Sequence, residues 1–245
     1  MKKLFKRIKW VDVRILLVCA IAFVVYSFSN KKSEDKEISG IEVFFKGEDY
    51  HFVTGADIRS MVEKSLPNTS RVNRSIVDLK KVEDEVLSNE LIKNAEVYLS
   101  IDGKLYVDVW QKEAVGRYFE NGKSYYIDNT GRSMPISHNF SQRVPMIDGR
   151  ITENNRGDLL KMLKLINESE FLKQDLTGII IRGDETLMLK SRTNDYSISF
   201  GTFDEMEKKL NNYTAFVKYC TEGKLDTKQY KSINLRFTQQ VVCSK

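Results

Sequence analysis

Residues 11–28 read VDVRILLVCAIAFVVYSF, an apolar run whose only charges, Asp12 and Arg14, lie at its start. A helix of that length spans roughly 27 Å at 1.5 Å per residue, close to the hydrocarbon thickness of a bilayer. This segment constrains the chain more than any other, because whatever follows it is expected outside the cytoplasm. Lys2, Lys3, Lys6, Arg7, Lys9 and Arg14 gather at its start, and only Lys31 and Lys32 follow it closely. By the positive-inside rule the N-terminus then lies in the cytoplasm, with Trp10 and Tyr26 near the two interfaces. The alternative is a cleaved signal peptide, since the basic start, the apolar centre and Ser27 and Ser29 loosely fit one. The run is long for such a core and has no A-x-A site, which favours an uncleaved anchor.

Charge supports this reading. The formal net charge is +5, and the six cations at the N-terminus, set against Asp12, account for all of it. The remaining body is neutral and has no basic stripe, which leaves no electrostatic footprint for nucleic acid. Hydrophobic residues make up 41% and prolines number 3, so the body can bury a core. A mean hydropathy of −0.39 excludes a protein with many spans. Cys19 lies in the apolar run. Cys220 and Cys243 form no CxxC pattern and leave open a disulfide or two small buried side chains.

After a polar linker over residues 29–37, alternation of Ile38, Ile41, Val43 and Phe45 predicts a strand. Thr54 and Asp57 predict a capped helix with Ile58, Met61, Val62 and Ser65 on one face, ended by Pro67. A second helix is expected from Ser75, with Asp78 in its first turn and Ile76, Leu79, Val82 and Val86 at helical spacing. Next come AEVYLSI and LYVDV, a hairpin. Pairing Ile101 with Leu105, Leu99 with Val107 and Val97 with Val109 matches the apolar faces and leaves residues 102–104 as a three-residue loop. Strand, helix, helix, strand, strand makes a small α+β layer with both helices on one sheet face.

Beyond Ala114 the pattern turns to strands and turns. Asn121-Gly122 and the stretch from Asp128 to Gly131 punctuate hairpins. A helix is expected over residues 155–169, then three antiparallel strands at 178–181, 186–190 and 196–200. A further helix carries Met206, Leu210, Tyr213, Val217 and Cys220 on one seam, with Thr202 and Glu205 as its capping box. The chain closes with a strand at 232–237, with Ile233, Leu235 and Phe237 inward, and an apolar stretch at 241–243.

These stretches in this order resemble the bacterial cell-division family FtsQ, called DivIB in other lineages. The carrying segments are KKVEDEVLSNELIKNAEVYLSIDGKLYVDVWQKEAVGRYF, then SYYIDNTGRSMPIS with RVPMIDG, then SISFGTFDEMEKKLNNYTAF and INLRF. Ala114 stands where the family usually has proline, and Phe237 where tyrosine is common. The resemblance implies an α+β protein with a single N-terminal transmembrane helix, a POTRA-type βααββ domain and a β-rich domain built on an antiparallel sheet with two flanking helices. The expected boundaries are a cytoplasmic tail at 1–10, the span at 11–28, a linker at 29–37, the POTRA-like domain at 38–113 and the β domain at 114–245.

A search for catalytic groups finds little. His51 and His138 lie in polar turns or loops, and no G-x-S-x-G, H-E-x-x-H or phosphate-loop pattern occurs. The segment from Asp128 to Gly131 lacks the later ligands of a calcium loop and reads as a hairpin turn. Glu83, Asp84 and Glu85 read as the wet face of a helix. No active site, metal or cofactor is expected. The resemblance instead implies a divisome scaffold, in the inner membrane at the septum, that links early and late division proteins. Its terminal strands receive FtsB-like and, through them, FtsL-like partners, connecting to the septal peptidoglycan synthase. Carried onto this chain, the contact residues are Arg236, Phe237, Gln239, Gln240, Val241 and Val242, with Arg236 facing a partner carboxylate. The second helix and last strand of the first module are implied as a recruitment surface. Two other classes stay open: a POTRA-containing secretion or outer-membrane-assembly component, and a membrane-tethered hydrolase using His138.

Overall fold

The computed structural model describes residues 10–34, 38–47, 51–66 and 77–245, with only the backbone of 11, 12, 25–34 and 224. Helix α1 runs Trp10–Glu34, past the expected end of the span at residue 28. Its described side chains, Trp10 and residues 13–24, are all exposed. Among the described residues no helix is long and apolar enough to cross a membrane. The basic tail up to Lys9, Pro67, and the expected helix start at Ser75 with Ile76 lie outside the described residues.

Two compact units divide the chain. The first holds the predicted strand-helix-helix-strand-strand order. Strand β1 (Gly40–Lys46) lies parallel to β3 (Lys104–Gln111), with Ile41, Val43 and Phe45 opposite Leu105, Val107 and Val109. Strand β2 (Ile92–Leu99) flanks β3 on its other side. Helix α2 (Gly55–Ser65) begins as its sequence dictates: Thr54 Oγ1 accepts from the Asp57 N–H at 3.2 Å, and the Thr54 N–H donates to Asp57 Oδ2 at 2.9 Å. Helix α3 (Leu79–Leu87) starts later than expected, because Asp78 caps it, accepting from the Lys81 N–H at 3.1 Å. Ile58 and Val62 of α2 and Val82 and Val86 of α3 join Leu105, Val107 and Val109 in a dry core, each almost fully buried.

The β2–β3 hairpin corrects the expected register by two residues. The Ser100 N–H donates to the Lys104 carbonyl at 2.9 Å, and Tyr98 stacks on Tyr106 with centroids 5.5 Å apart. Residues 101–103 therefore form the loop, Ile101 is 87% exposed, and Leu99 falls opposite Leu105. The loop still has three residues and the shift is even, so apolar faces still meet. The sequence offers two even registers of equal parity. Gly103, at φ +90°, and the stacked tyrosines select between them.

The second unit is a nine-stranded sheet in the order β12-β11-β10-β9-β8-β7-β4-β5-β6. Its strands are β4 (Ala114–Glu120), β5 (Lys123–Asp128), β6 (Ser133–Pro135), β7 (Met146–Asp148), β8 (Leu176–Ile181), β9 (Leu187–Ser191), β10 (Ser197–Gly201), β11 (Ser232–Asn234) and β12 (Val242–Ser244). The helices are α4 (Glu153–Glu168), α5 (Glu170–Asp175) and α6 (Met206–Tyr219). The expected antiparallel sheet with two helices is thus a mixed sheet with three. The pairs β4–β7, β7–β8 and β10–β11 are parallel. In two of them, β7–β8 and β10–β11, a helical connection carries the chain back over the sheet, and such a crossover returns a strand in the same direction. One lateral row runs through Tyr118, Ile147, Ile179, Leu189, Ile198, Ile233 and Cys243, so a single face is apolar from β4 to the edge strand β12. Leu159, Met162, Leu163 and Ile166 of α4 and Met206, Leu210 and Tyr213 of α6 belong to the same core.

Helix α6 lacks the capping box expected from Thr202 and Glu205. It begins only at Met206, and Glu205, at φ +50°, makes no side-chain cap. The buried Lys209 ties down this entry instead. Its Nζ donates to the Thr202 carbonyl at 3.0 Å and pairs with Asp204 at 3.2 Å, 5.1 Å from the Phe200 ring centroid.

Candidate partner-binding edge

The candidate edge is built from the β10–α6–β11 crossover. Ile233 and Leu235 are driven into the core, at 0% and 1% exposure. The Leu235 N–H donates to the Ser199 carbonyl at 2.8 Å, which locks the end of β11 onto β10. There the extended run stops. Asn234 Oδ1 accepts from the Arg236 N–H at 3.0 Å, an Asx turn that ends strand alternation. Phe237 is consequently not inward, as its parity predicts, but 54% exposed. Asn212 of α6 donates from Nδ2 to the Thr238 carbonyl at 2.9 Å and holds the loop from the helix side.

From this loop the chain returns as β12, antiparallel to β11, with Asn234, Ile233 and Ser232 opposite Val242, Cys243 and Ser244. β12 is the outermost strand of the sheet. Cys243 faces the core row, and Val242 and Ser244 are exposed. Arg236, Gln239 and Gln240 are exposed and Val241 is half-buried. The structure therefore gathers all six predicted contact residues into one loop and one edge strand. Sequence reasoning missed the scaffold beneath them. A Cβ placed on Gly201 would lie 2.9 Å from Arg236 Cγ, so the stem of Arg236 rests on a glycine backbone at φ +85°. Nothing local in the sequence announces that contact.

Cys220 and Cys243 are free thiols. Burial pushes the pKa of both upward, and for Cys220 the nearby Cys243 adds to the push. Asp128 spends its Oδ1 on the Thr130 N–H at 2.8 Å, the Thr130 hydroxyl at 2.6 Å and the Arg132 N–H at 2.9 Å, so this carboxylate oxygen organises a hairpin turn. His138 is exposed beside Ser137, whose hydroxyl donates to the Phe52 carbonyl at 2.6 Å and accepts from the Asn139 N–H at 3.0 Å. A hydroxyl held in that way is structural and is not presented to a base.

A small α+β module followed by a mixed sheet that ends in an edge strand defines a two-domain α+β protein. Two family models divide the chain in the same way. A POTRA-like domain model matches residues 39–110, and the model described as FtsQ/DivIB, C-terminal related, matches residues 113–244. The chain belongs to the FtsQ/DivIB family, whose members are non-enzymatic scaffolds of the divisome. Among solved structures, the major extracytoplasmic domain of the trans isomer of the cell division protein DivIB from Geobacillus stearothermophilus is similar at 11% identity and a TM-score of 0.35, covering 47% of this chain and 98% of that one. No curated protein matches the chain.

Proposed function

We propose that this chain is a single-pass scaffold of the division septum that captures an FtsB-like partner on its terminal sheet edge. The observation that carries the proposal is the open β12 edge, headed by the exposed Arg236 and Phe237. A strand at the end of a sheet leaves alternate backbone N–H and C=O groups unpaired, and an extended segment of a partner adds there as a further strand. Arg236 takes a partner carboxylate and Phe237 an apolar side chain, while Gln239, Gln240, Val241 and Val242 line the added strand. Through that partner the chain holds an FtsL-like protein and connects to the septal peptidoglycan synthase. Neither nucleic acid nor a small-molecule substrate enters this function.

The anchor is assigned to residues 11–28, with 1–10 cytoplasmic and the linker at 29–37. The POTRA-like domain at 38–113 and the β domain at 114–245 are placed outside the inner membrane. The exposed side chains of α1 support this assignment. Val13, Ile15, Leu16, Leu17, Val18, Ile21, Phe23 and Val24 point all round the helix, each at least half exposed among the described residues, and such a helix is satisfied in hydrocarbon. The match of residues 113–244 to the FtsQ/DivIB model supports the scaffold reading over a secretion or outer-membrane-assembly component.

Co-purification of the full-length protein from membranes of its own cells tests the reading. The wild type is expected to bring down the FtsB-like and FtsL-like proteins, and the double variant Arg236→Glu, Phe237→Ala to lose them while still folding. Retention by the double variant overturns the edge as the binding surface. Failure of the wild type to capture any division protein overturns the scaffold function for this chain.

A further inference from the structure

We infer that the open face of the first unit's sheet lies on the lipid headgroup layer of the membrane that α1 enters. The inference rests on the reading of α1 as an anchor. The helices α2 and α3 cover the face that carries Leu105, Val107 and Val109. The opposite face carries Phe44 of β1, Tyr106 of β3 and Tyr98 of β2 as one stack across all three strands. Phe44 and Tyr106 lie 5.9 Å apart with planes 9° from parallel, and Tyr98 and Tyr106 lie 5.5 Å apart at 7°. Cross-strand stacking alone stabilises a sheet, but it does not require the rings to stay open. Phe44 and Tyr98 remain 45% and 44% exposed.

Two lysines flank the stack on the same face. Lys46 lies 5.7 Å from the Phe44 ring centroid and pairs with Asp108 at 3.3 Å, and Lys104 pairs with Glu42 at 3.0 Å. Trp110, opposite Lys46 in the register, continues the row. Aromatic rings beside lysines with apolar stems make up the interfacial layer of membrane proteins, with the rings at headgroup level and the ammonium groups reaching phosphate. Paired charges of both signs suit zwitterionic headgroups better than a polyanion. Chain connectivity makes the lipid surface the occupant. Helix α1 runs to Glu34, six residues or roughly 9 Å past the assigned end of the anchor, and β1 begins at Gly40, so the connection from the bilayer surface to β1 reaches no more than roughly 30 Å. The aromatic face thus stays within reach of the bilayer surface at all times, at a local concentration that no diffusing partner matches.

The chain's two tryptophans, Trp10 and Trp110, make the test direct. The full-length Trp10→Phe protein, which keeps Trp110, is reconstituted in phosphatidylethanolamine and phosphatidylglycerol vesicles carrying a spin label on the headgroup or deep in the acyl chain. Trp110 is expected to lose roughly half its emission to the headgroup label and much less to the deep one, as for a surface seated about 5–10 Å into the headgroup boundary. Adding Phe44→Ser and Tyr98→Ser is expected to abolish that loss. Emission unaffected by the headgroup label overturns the inference, including the case where Trp110 becomes shielded from aqueous acrylamide, which marks a second copy or another protein on the face. The Trp110→Phe protein, which keeps Trp10, separates the two readings. If Trp10 is quenched by lipid labels and Trp110 is not, only the face assignment fails. If neither is quenched, the anchor fails as well.

Discussion

Gly201 carries the stem of Arg236: the glycine backbone stands at φ +85°, and a Cβ there would approach Arg236 Cγ to 2.9 Å. The contact joins the last residue of β10 to the first residue of the proposed binding loop. Gly201→Ala meets two penalties, the left-handed backbone and the displaced arginine stem. The backbone penalty alone is about 1–2 kcal/mol. A lower denaturation midpoint is expected together with weaker capture of the FtsB-like partner, whereas Arg236→Ala weakens capture at unchanged stability. Equal capture by wild type and Gly201→Ala would show that the arginine is not positioned by this contact.

A second relationship holds the β domain together from inside. The Tyr213 hydroxyl donates to Asp175 Oδ2 at 2.6 Å, while Oδ1 accepts from the hydroxyls of Ser191 and Thr193, both at 2.8 Å. Asp175 is 4% exposed, so these neutral donors are what make its burial tolerable. Tyr213→Phe strips one donor from a buried carboxylate, and about 1–3 kcal/mol of stability is expected to go. Urea denaturation of the variant against the wild type measures it. A change within a few tenths of a kcal/mol would mean that solvent reaches the carboxylate and replaces the phenol.

The same cluster sets an alkaline limit. Burial pushes the Tyr196 phenol from 10.0 up to about 12, and the Tyr213 phenol is raised further, by burial first and then by its bond to Asp175. The folded state therefore holds both protons more tightly than the unfolded chain. Stability from this source is fully present below pH 10 and is lost as pH rises through the folded values, because above 10 the unfolded chain releases protons that the folded one keeps. Denaturation midpoints are expected to be flat in this contribution up to about pH 10 and to fall beyond it, with a shallower fall in Tyr196→Phe. An identical alkaline slope in the variant would remove Tyr196 as a source.

The parts of this fold that were legible in the sequence are those decided within a few residues. Thr54 and Asp57 form their capping box, and Asn121-Gly122 turns its hairpin, because each interaction closes over one to three positions. Lateral partners were less legible. The parity of the β2–β3 hairpin was readable, but its register depended on a stack that includes Phe44, more than fifty positions before Tyr98. Thr202 and Glu205 have the spacing of a cap, yet Lys209 takes over that end because its buried ammonium finds a carbonyl, a carboxylate and a ring together. Glu113 shows the same limit: it accepts from Asn167 at 2.6 Å and Asn129 at 3.0 Å, tying the start of β4 to α4 and a hairpin turn with no local signature. At the candidate edge the family resemblance implied six contact residues, but how their side chains are oriented was not legible in the sequence. One Asx bond from Asn234 moved Phe237 from the core side to solvent.

That reversal yields the sharpest prediction for the edge. Leu235 and Phe237 share strand parity and differ in fate, at 1% and 54% exposure. If the loop exists to finish the core, truncating either residue should destabilise the domain. If it exists to bind, only Leu235 should matter for folding and only Phe237 for capture. Leu235→Ala removes a fully buried side chain and is expected to cost about 2–5 kcal/mol. Phe237→Ala, at an exposed position, is expected to stay within about 0.5 kcal/mol of wild type in urea denaturation. Binding reverses the order. An exposed aromatic that becomes the anchor of an added strand behaves as a hot spot, and its truncation is expected to weaken capture by about 2 kcal/mol or more, roughly thirtyfold in Kd. Titration of both variants with the purified FtsB-like partner reads the difference. Unchanged affinity in Phe237→Ala would leave the β12 backbone edge as the only binding element and would remove the side chain from the site.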